Sequence, residues 1–210
     1  MKRLLWLSLA GLCVFLPPGC DANGPASQES AQAPQRSIQG SVRLPDFENL
    51  ESLGRGAVFR ERAARDVPVD IRHVGETDGT LAQTRTDVDG DWSVSVPAQT
   101  PLDGSIVAEA SVEDVTLRRG IVTEFGNAIT VRSEALGRML EERSTSAATL
   151  PRATYLNVLS MLATAADLTN PVDWSGDETI EASIQRVRRA GNADERLHKR
   201  LKSLTPPPSR

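Results

Sequence analysis

The chain has 210 residues, enough for one domain with a sizeable core or for a domain with a small appendage. Its composition is 39% hydrophobic and 25% charged, as in ordinary globular proteins, but only 4% aromatic, so we expect a mainly aliphatic core. The formal net charge of −4 argues against strong binding to nucleic acid.

Cysteine and histidine are both scarce. Cys13 and Cys20 are the only cysteines and both lie near the N-terminus, which excludes a disulfide framework within the body of the protein. The two histidines, His73 and His198, are far apart in the sequence, so we expect no histidine-rich metal centre and no cofactor.

The N-terminus has the pattern of an export signal. Residues 1–3 are Met-Lys-Arg, and residues 4–16 are apolar but too short to span a bilayer comfortably. Gly19-Cys20 follows at a distance that resembles the lipobox of bacterial lipoproteins. This resemblance implies a signal peptide over residues 1–19, and Cys20 as the lipid anchor through which the protein is held on a membrane. The alternative is cleavage near Ala22, with Cys20 unmodified.

Residues 20–36 are rich in Ala, Gln, Ser, Pro and Gly and have no apolar periodicity, which predicts a flexible tether. From Ser37 onward, short alternating segments are separated by turn residues, as in antiparallel β-sandwiches. We predict six to eight strands, and no parallel sheet because no helical crossover separates them. A weak strand is also predicted over Ala57-Val58-Phe59.

The clearest strand runs through Trp92, Val94 and Val96, which alternate with polar residues. Residues 87–90, Asp-Val-Asp-Gly, precede it and are typical of a tight reversal. We therefore predict that residues 80–86 and 91–97 pair as an antiparallel hairpin, with Trp92 facing a core.

The order of these segments resembles the carboxypeptidase regulatory-like (transthyretin-like) domain family, which has a Thr-Asp-x-x-Gly-x-aromatic hairpin ended by Val-Pro. The resemblance implies a seven-stranded, usually non-catalytic sandwich over residues 37–131. The residues that carry it are Gly40-x-Val42, Val67-Pro68-Val69-Asp70-Ile71 and Thr84-x-Thr86-Asp87-x-Asp89-Gly90-x-Trp92-Ser93-Val94-x-Val96-Pro97.

After Val131 the apolar period changes to that of a helix, which predicts a helical region over residues 132–205 and a disordered tail over 206–210. The predicted starting residues are Ser133, Pro151, Ser175 and Asn192, and Gly191 is predicted to end the third helix. The predicted apolar faces carry Tyr155, Val158 and Leu162, then Ile180, Ile184 and Val187, then Leu197, Leu201 and Leu204.

Candidate sites are few. Asp87, Asp89 and Asp91 have the spacing of a calcium loop, but Trp92 stands where such a loop needs glycine, so a solvated turn is the better interpretation. Trp174, among polar residues, is a candidate ligand-binding aromatic that would stack on a sugar, and helix packing is the alternative. We expect His73 at a core or rim position.

The sequence thus predicts a mainly β plus α protein: a transthyretin/Ig-like antiparallel sandwich followed by a small helical region. It contains no recognisable catalytic constellation, and we expect a membrane-anchored cell-envelope lipoprotein that acts as a non-catalytic binding or structural module outside the cytoplasm. Its partners would be the membrane, through the acyl chains, and an envelope protein or glycan. The alternatives are a carbohydrate-binding accessory protein, and a periplasmic hydrolase in which His73 would meet a carboxylate and a hydroxyl.

Overall fold

The computed structural model describes residues 33–47, 61–76, 79–168 and 179–204. Several predictions fall outside these residues: the signal peptide, Cys20, most of the tether, the strand over residues 57–59, Trp174 and the C-terminal tail.

Eight strands precede four helices in the described part of the chain. The strands are β1 (Gln35–Pro45), β2 (Glu61–Ala63), β3 (Pro68–His73), β4 (Thr80–Arg85), β5 (Asp91–Pro97), β6 (Ile106–Val112), β7 (Val115–Gly120) and β8 (Asn127–Ile129). The helices are α1 (Val131–Glu141), α2 (Arg152–Leu168), α3 (Ile180–Ala193) and α4 (Glu195–Leu204), and a 3₁₀ turn, Ala147–Thr149, lies between α1 and α2.

The strands form two four-stranded sheets, arranged like a β-sandwich. In the first sheet, β1 pairs antiparallel with β5, with Gly40 opposite Trp92, and antiparallel with β2. In the second sheet, the order is β4-β3-β6-β7 and all neighbours are antiparallel. The prediction of antiparallel, sandwich-like sheets together with helices is therefore confirmed at this level, but helix and strand contribute about equally, so the protein is mixed α and β and not mainly β.

One strand pair departs from the prediction. Strand β8 runs parallel to β1, with Ala128 opposite Ser41. The parallel pair needs no crossover helix because the entire second sheet lies between β1 and β8 along the chain, and so provides the long connection that parallel strands require.

The predicted hairpin of residues 80–86 with 91–97 is wrong. Strand β4 pairs with β3, whereas β5 pairs with β1 in the other sheet, so residues 87–90 carry the chain between the sheets. The preceding residue, Thr86, fixes this path: its buried hydroxyl donates to the Ala64 carbonyl at 2.6 Å and accepts from the Val67 amide at 2.9 Å. The turn residues were identified correctly, but a turn does not determine which strand becomes the partner.

The predicted direction of Trp92 is confirmed. Trp92 is 3% exposed and Val96 is 1% exposed, while Val94 is partly buried against the same core. Gly40 makes room for the indole, because a Cβ atom on Gly40 would lie 2.5 Å from Trp92 Cζ2. A glycine directly opposite Trp92 therefore leaves the space that the indole occupies beside β1.

The start of α2 directly after Pro151 agrees with the prediction, whereas the starts of the other helices differ from it. Thr130, not Ser133, is the N-cap of α1, and the two residues form a reciprocal capping box. Val131, which we predicted to end the last strand, opens this helix. Thr179 caps α3 by accepting from the Ala182 amide, whereas the predicted cap Ser175 lies outside the described residues. Several Ser and Thr residues stand near each boundary, and spacing alone did not distinguish them.

The predicted end of α3 is also wrong. Gly191 lies inside the helix, where a Cβ atom would be 2.5 Å from Leu162 Cδ1, so the glycine serves close packing of α3 on α2. Asp194 rather than Asn192 precedes α4, and its carboxylate accepts from the Leu197 amide at 2.7 Å. The short connection places α4 directly beside α3.

The apolar faces predicted for the helices are buried, except that Leu204 at the end of α4 is partly exposed. One hydrophobic core includes inward residues of both sheets, such as Ile38 and Ile71, together with Val158, Ile184 and Leu201 of the helices. The helices therefore extend the core of the sandwich. Among the described residues, no helix combines the length and the apolar character needed to cross a bilayer.

Candidate functional site

The outer face of the second sheet carries a row of charged side chains. Asp70, Glu109 and Arg118 lie directly across neighbouring strands, and Arg72 and Val107 lie across from each other two residues along. The residues between them, including Ile71 and Ala108, are buried in the core. The period of two thus gives this sheet one ionic face and one largely apolar face, on which the buried Arg119 lies opposite Ala108.

A buried carboxylate joins the ionic face to α1. Glu134 has a side chain only 2% exposed, and it accepts four hydrogen bonds. Three come from Arg118, from its backbone amide at 3.0 Å, Nε at 3.0 Å and Nη2 at 3.1 Å, and one comes from Arg138 Nε at 2.7 Å. A buried charge requires this saturation, because each unfilled acceptor site would lose its hydration without compensation.

Further carboxylates extend the network. Arg118 Nη1 donates to Glu141 at 2.7 Å, and Arg138 Nη1 donates to Glu181 on α3 at 2.7 Å. Hydrogen bonding to Glu134 is the main cause that raises the pKa of Arg118, so this guanidinium stays charged. The hydrogen bond from Arg138 lowers the pKa of Glu181. The network therefore ties β7, α1 and α3 together by charge.

Beside this network lies a cavity of about 440 Å³, here called the sheet–helix cleft. It is bounded by the outer face of the second sheet, by α1, by the 3₁₀ turn and by the start of α2. Its lining includes Arg72, His73, Val107, Glu109, Arg118, Gly120, Ser133, Gly137, Leu140, Glu141, Thr145, Ser146, Ala147 and Tyr155. The volume falls within the range typical of small-molecule sites.

Glycine residues allow the 3₁₀ turn to close one end of the cleft. A Cβ atom on Gly104 would lie 2.6 Å from the Ala147 carbonyl carbon, and one on Gly120 would lie 2.7 Å from Ala147 Cβ. Gly104 also has a φ of 86°, which disfavours any side chain there. The 3₁₀ turn therefore packs against Gly104 and Gly120, where any larger residue would overlap Ala147.

Tyr155 forms part of the inner wall. The residue is 2% exposed, its hydroxyl oxygen accepts from the Gly120 amide at 3.2 Å, and the Arg119 guanidinium lies 5.8 Å from the ring centroid. Burial is the main cause that raises the pKa of Tyr155, so the phenol keeps its proton. Within residues 33–47, 61–76, 79–168 and 179–204, no acceptor receives that hydroxyl proton.

Gly137 lies on the face of α1 that lines the cleft. A Cβ atom at this position would have no neighbouring atom within 4 Å. Glycine inside a helix costs roughly 0.5–1 kcal/mol relative to alanine, and here packing does not require it. The residue leaves the cleft wider than a typical helix residue would.

A second, more open concavity of about 580 Å³ lies over the outer face of the first sheet, and we call it the Phe125 groove. Phe125 at its side is 62% exposed, which is unusual for a large apolar residue. Gln39, Ser41 and Ser93 line the groove with polar groups, together with Gly40, Arg85, Asp87, Asp91, Trp92, Gly126 and Ala128.

The sequence-predicted residues have different outcomes. His73 lies half-buried at the rim of the cleft, level with buried Ile106 across the sheet. Ser133, the lining hydroxyl on α1, donates to the backbone carbonyls of Arg118 and Thr130 and so has a structural role. The cleft brings His73 together with carboxylates and hydroxyls, but no hydrogen bond links the imidazole to them among the described residues.

The aspartates of residues 87–91 form a turn. Asp87 Oδ1 accepts from the backbone amides of Asp89 and Asp91, both at 2.9 Å. In the part of the chain that the structure describes, no group of three or more His, Cys, Asp or Glu side chains is arranged to hold a metal ion. His198 is exposed on α4.

Sequence reasoning missed the centre of the site. Glu134 and Arg118 are separated by 16 positions, and the spacing of Glu134 to Arg138 is that of an ordinary surface ion pair on a helix. Nothing in that spacing marks Glu134 as buried.

A scan against models of known protein families finds no match, and neither does a search of curated proteins.

Proposed function

We propose that this chain is a lipid-anchored protein of the bacterial cell envelope whose folded body is a non-catalytic binding module. The sheet–helix cleft is the observation that carries the binding role, because it joins the ionic face of a sheet to a helix wall and has the size of a small-molecule site. The resemblance of residues 37–131 to the transthyretin-like sandwich supports a module without catalytic groups of its own.

The anchor is the second part of the proposal. Cys20 follows an apolar segment and precedes a stretch without apolar periodicity, as expected of an acylated residue joined to a tether. Each buried methylene contributes about 0.8 kcal/mol, so several acyl chains hold a protein on a membrane stably. The body would then face the envelope space while the membrane holds only its lipid.

Fractionation of cells tests the anchor. The wild-type protein should sediment with membranes and the Cys20→Ala variant should not, with Cys13→Ala as the matched control. Mass spectrometry of the mature N-terminus should find acyl chains on Cys20. Unchanged sedimentation of Cys20→Ala would contradict the anchor.

Native mass spectrometry tests the binding role. Purified protein is incubated with a small-molecule extract of bacterial envelopes, desalted and weighed. Wild type should retain a bound molecule and Gly137→Leu should not, because the leucine side chain would fill open space in the cleft. Gly137→Ala, which adds one methyl group, is the folding control. Equal retention by wild type and Gly137→Leu would contradict binding in the cleft.

Carbohydrate binding is a second candidate, favoured by the Phe125 groove. An exposed aromatic ring beside amide and hydroxyl groups suits a sugar, which has an apolar face and polar edges. A glycan array should give signal with wild type that Phe125→Ala removes. Loss on Trp174→Ala instead would place the sugar at the residue first predicted, and no signal from any variant would remove this candidate.

A hydrolase is the remaining alternative, since the cleft places His73 near carboxylates. Turnover of an activated ester should be the same for wild type and His73→Ala, because no described hydroxyl is hydrogen-bonded to the imidazole. Turnover that depends on His73 would favour the hydrolase over the binding module.

A further inference from the structure

We infer that the sheet–helix cleft binds a small organic cation: a molecule with an apolar body, a protonated amine and a hydrogen-bond acceptor. The inference names the ligand class of the proposed binding site and rests on that function. It follows from five features of the cleft: carboxylates with acceptor sites left, guanidinium groups that already face carboxylates, an apolar wall, a buried hydroxyl whose proton has no acceptor among the described residues, and the open space beside Gly137.

The guanidinium groups of the cleft already face carboxylates. Arg118 donates through Nε, Nη1 and Nη2 to Glu134 and Glu141. Arg72 donates through Nη2 to Asp70 at 3.0 Å, and its Nε lies 3.4 Å from Glu109. An anionic ligand would have to displace these intramolecular carboxylates, so the two guanidinium groups do not form a free anion site.

The carboxylates, in contrast, have capacity left. Glu109 is half-buried at the centre of the ionic face, and within the described part of the chain its one ion pair is the long 3.4 Å contact from Arg72. A carboxylate offers about four acceptor sites. Among the described residues that line the cleft, three carry carboxylates, Glu76, Glu109 and Glu141, and two carry guanidinium groups, Arg72 and Arg118. This negative excess favours a positively charged ligand.

The wall opposite the carboxylates determines which groups the ligand needs besides its amine. Val107, Leu140 and Ala147 present apolar surface, which suits a hydrocarbon body. The buried Tyr155 hydroxyl accepts from Gly120 and has its own proton unused among the described residues. A ligand carbonyl or hydroxyl oxygen would accept that proton and so satisfy a donor that burial otherwise leaves unpaired.

Gly137 supplies the space. It opens α1 beside the cleft where alanine would fit without a clash, at a cost in helix stability that packing does not offset. The cleft thus combines acceptor capacity, an apolar surface and a donor around a volume that the helix leaves open.

Three probes that share a benzyl group and at least one amide carbonyl, but differ in charge, test the inference. They are L-phenylalaninamide, N-acetyl-L-phenylalaninamide and N-acetyl-L-phenylalanine, which are cationic, neutral and anionic at about pH 6. Backbone amide shifts of the full-length protein are followed by NMR. We expect L-phenylalaninamide to move the signals of Val107, Glu109 and Gly137, and to bind at least about tenfold more tightly than the other two.

Variants assign the contacts. Glu109→Gln should weaken binding of L-phenylalaninamide about tenfold, while Arg72 keeps its partner Asp70 and the fold is maintained. Glu195→Gln, an exposed carboxylate on α4 outside the cleft, is the matched control and should leave the affinity unchanged. Tyr155→Phe should weaken the cationic and neutral probes by the same factor, since both keep the carbonyl.

The failures are distinguishable. Tighter binding of the neutral or anionic probe at the same signals would overturn the cation inference but leave a binding module in place. Binding of L-phenylalaninamide with equal losses in Glu109→Gln and Glu195→Gln would place the amine elsewhere and overturn the assignment. Absence of any shift with all three probes would overturn the ligand class, whereas the proposed function fails separately if Gly137→Leu retains the extract molecule as wild type does.

Discussion

Replacing Glu134 by glutamine should destabilise the protein more than any other single loss of charge in the ionic network. The carboxylate is 2% exposed and holds Arg118 and Arg138 by charge-assisted hydrogen bonds. Glutamine has nearly the same shape, but it removes the negative charge and turns one acceptor into an NH₂ group that faces guanidinium donors. The change therefore tests electrostatics with little effect on packing.

The expected loss is about 3 kcal/mol. Removing one partner of a buried ion pair costs roughly 3–5 kcal/mol, because the remaining charge is left without compensation. Here each arginine keeps a second carboxylate, Glu141 or Glu181, and the arginine side chains are 31% and 26% exposed, so water relieves part of the cost. These two facts place the expected value at the lower end of the range.

Urea denaturation of the purified protein, followed by circular dichroism, measures the free energy of unfolding. Glu141→Gln is the matched control: its carboxylate contacts the same Arg118 but is 56% exposed, so its loss should cost less than about 1 kcal/mol. If the Glu134→Gln and Glu141→Gln variants lost the same free energy, the burial argument for Glu134 would be refuted.

Three further substitutions have defined outcomes. Gly40→Ala should destabilise by about 1–3 kcal/mol, measured by urea denaturation, because the new methyl group would overlap Trp92; a neutral effect would contradict the close approach. Gly137→Ala should stabilise by about 0.5–1 kcal/mol by the same measurement, since nothing obstructs the methyl group, and a loss would mean that the space is not open. Burial raises the pKa of Glu61, with Arg132 partly opposing it, so the folded protein binds this proton more tightly than the unfolded chain. Stability associated with protonated Glu61 is therefore present at low pH and declines as the pH rises above the ordinary carboxyl pKa, and Glu61→Gln should gain stability over wild type from about pH 4 to about pH 7. An equal difference at both pH values would contradict this.

Much of the fold could be predicted because the deciding signals are local. Alternation of Trp92 and Val96 with polar residues is a property of one short segment, and it correctly identified the buried face of β5. The apolar stripe through Ile180 and Ile184 identified the buried face of α3 in the same way. These patterns depend on which side of an element is covered and not on what covers it.

Which strands pair was harder to predict from the sequence, because strand pairing depends on long-range contacts. The turn before β5 fits a hairpin and a crossing between sheets equally well, and the decision rests on Thr86, whose hydroxyl binds two backbone groups about twenty residues earlier in the chain. The site was hidden for the same reason. From the sequence alone, Gly137 is only a helix-destabilising residue, because the cleft beside it is not visible. Glu134 has the spacing of a surface residue, and only the fold shows that Arg118 of β7 binds it.

The crossing at residues 87–90 has a consequence for how the molecule folds as it is synthesised. The hydroxyls of Ser37 on β1 and Ser93 on β5 are hydrogen-bonded across the first sheet although the two residues are 56 positions apart. Strand β5 therefore does not pair with β4, the strand just before it in the chain. Strand β1 is synthesised first and stays without this partner until β5 follows, and topologies dominated by such distant pairings fold slowly. In that interval the apolar face of β1, which carries Ile38 and Val42, is open to non-native contacts.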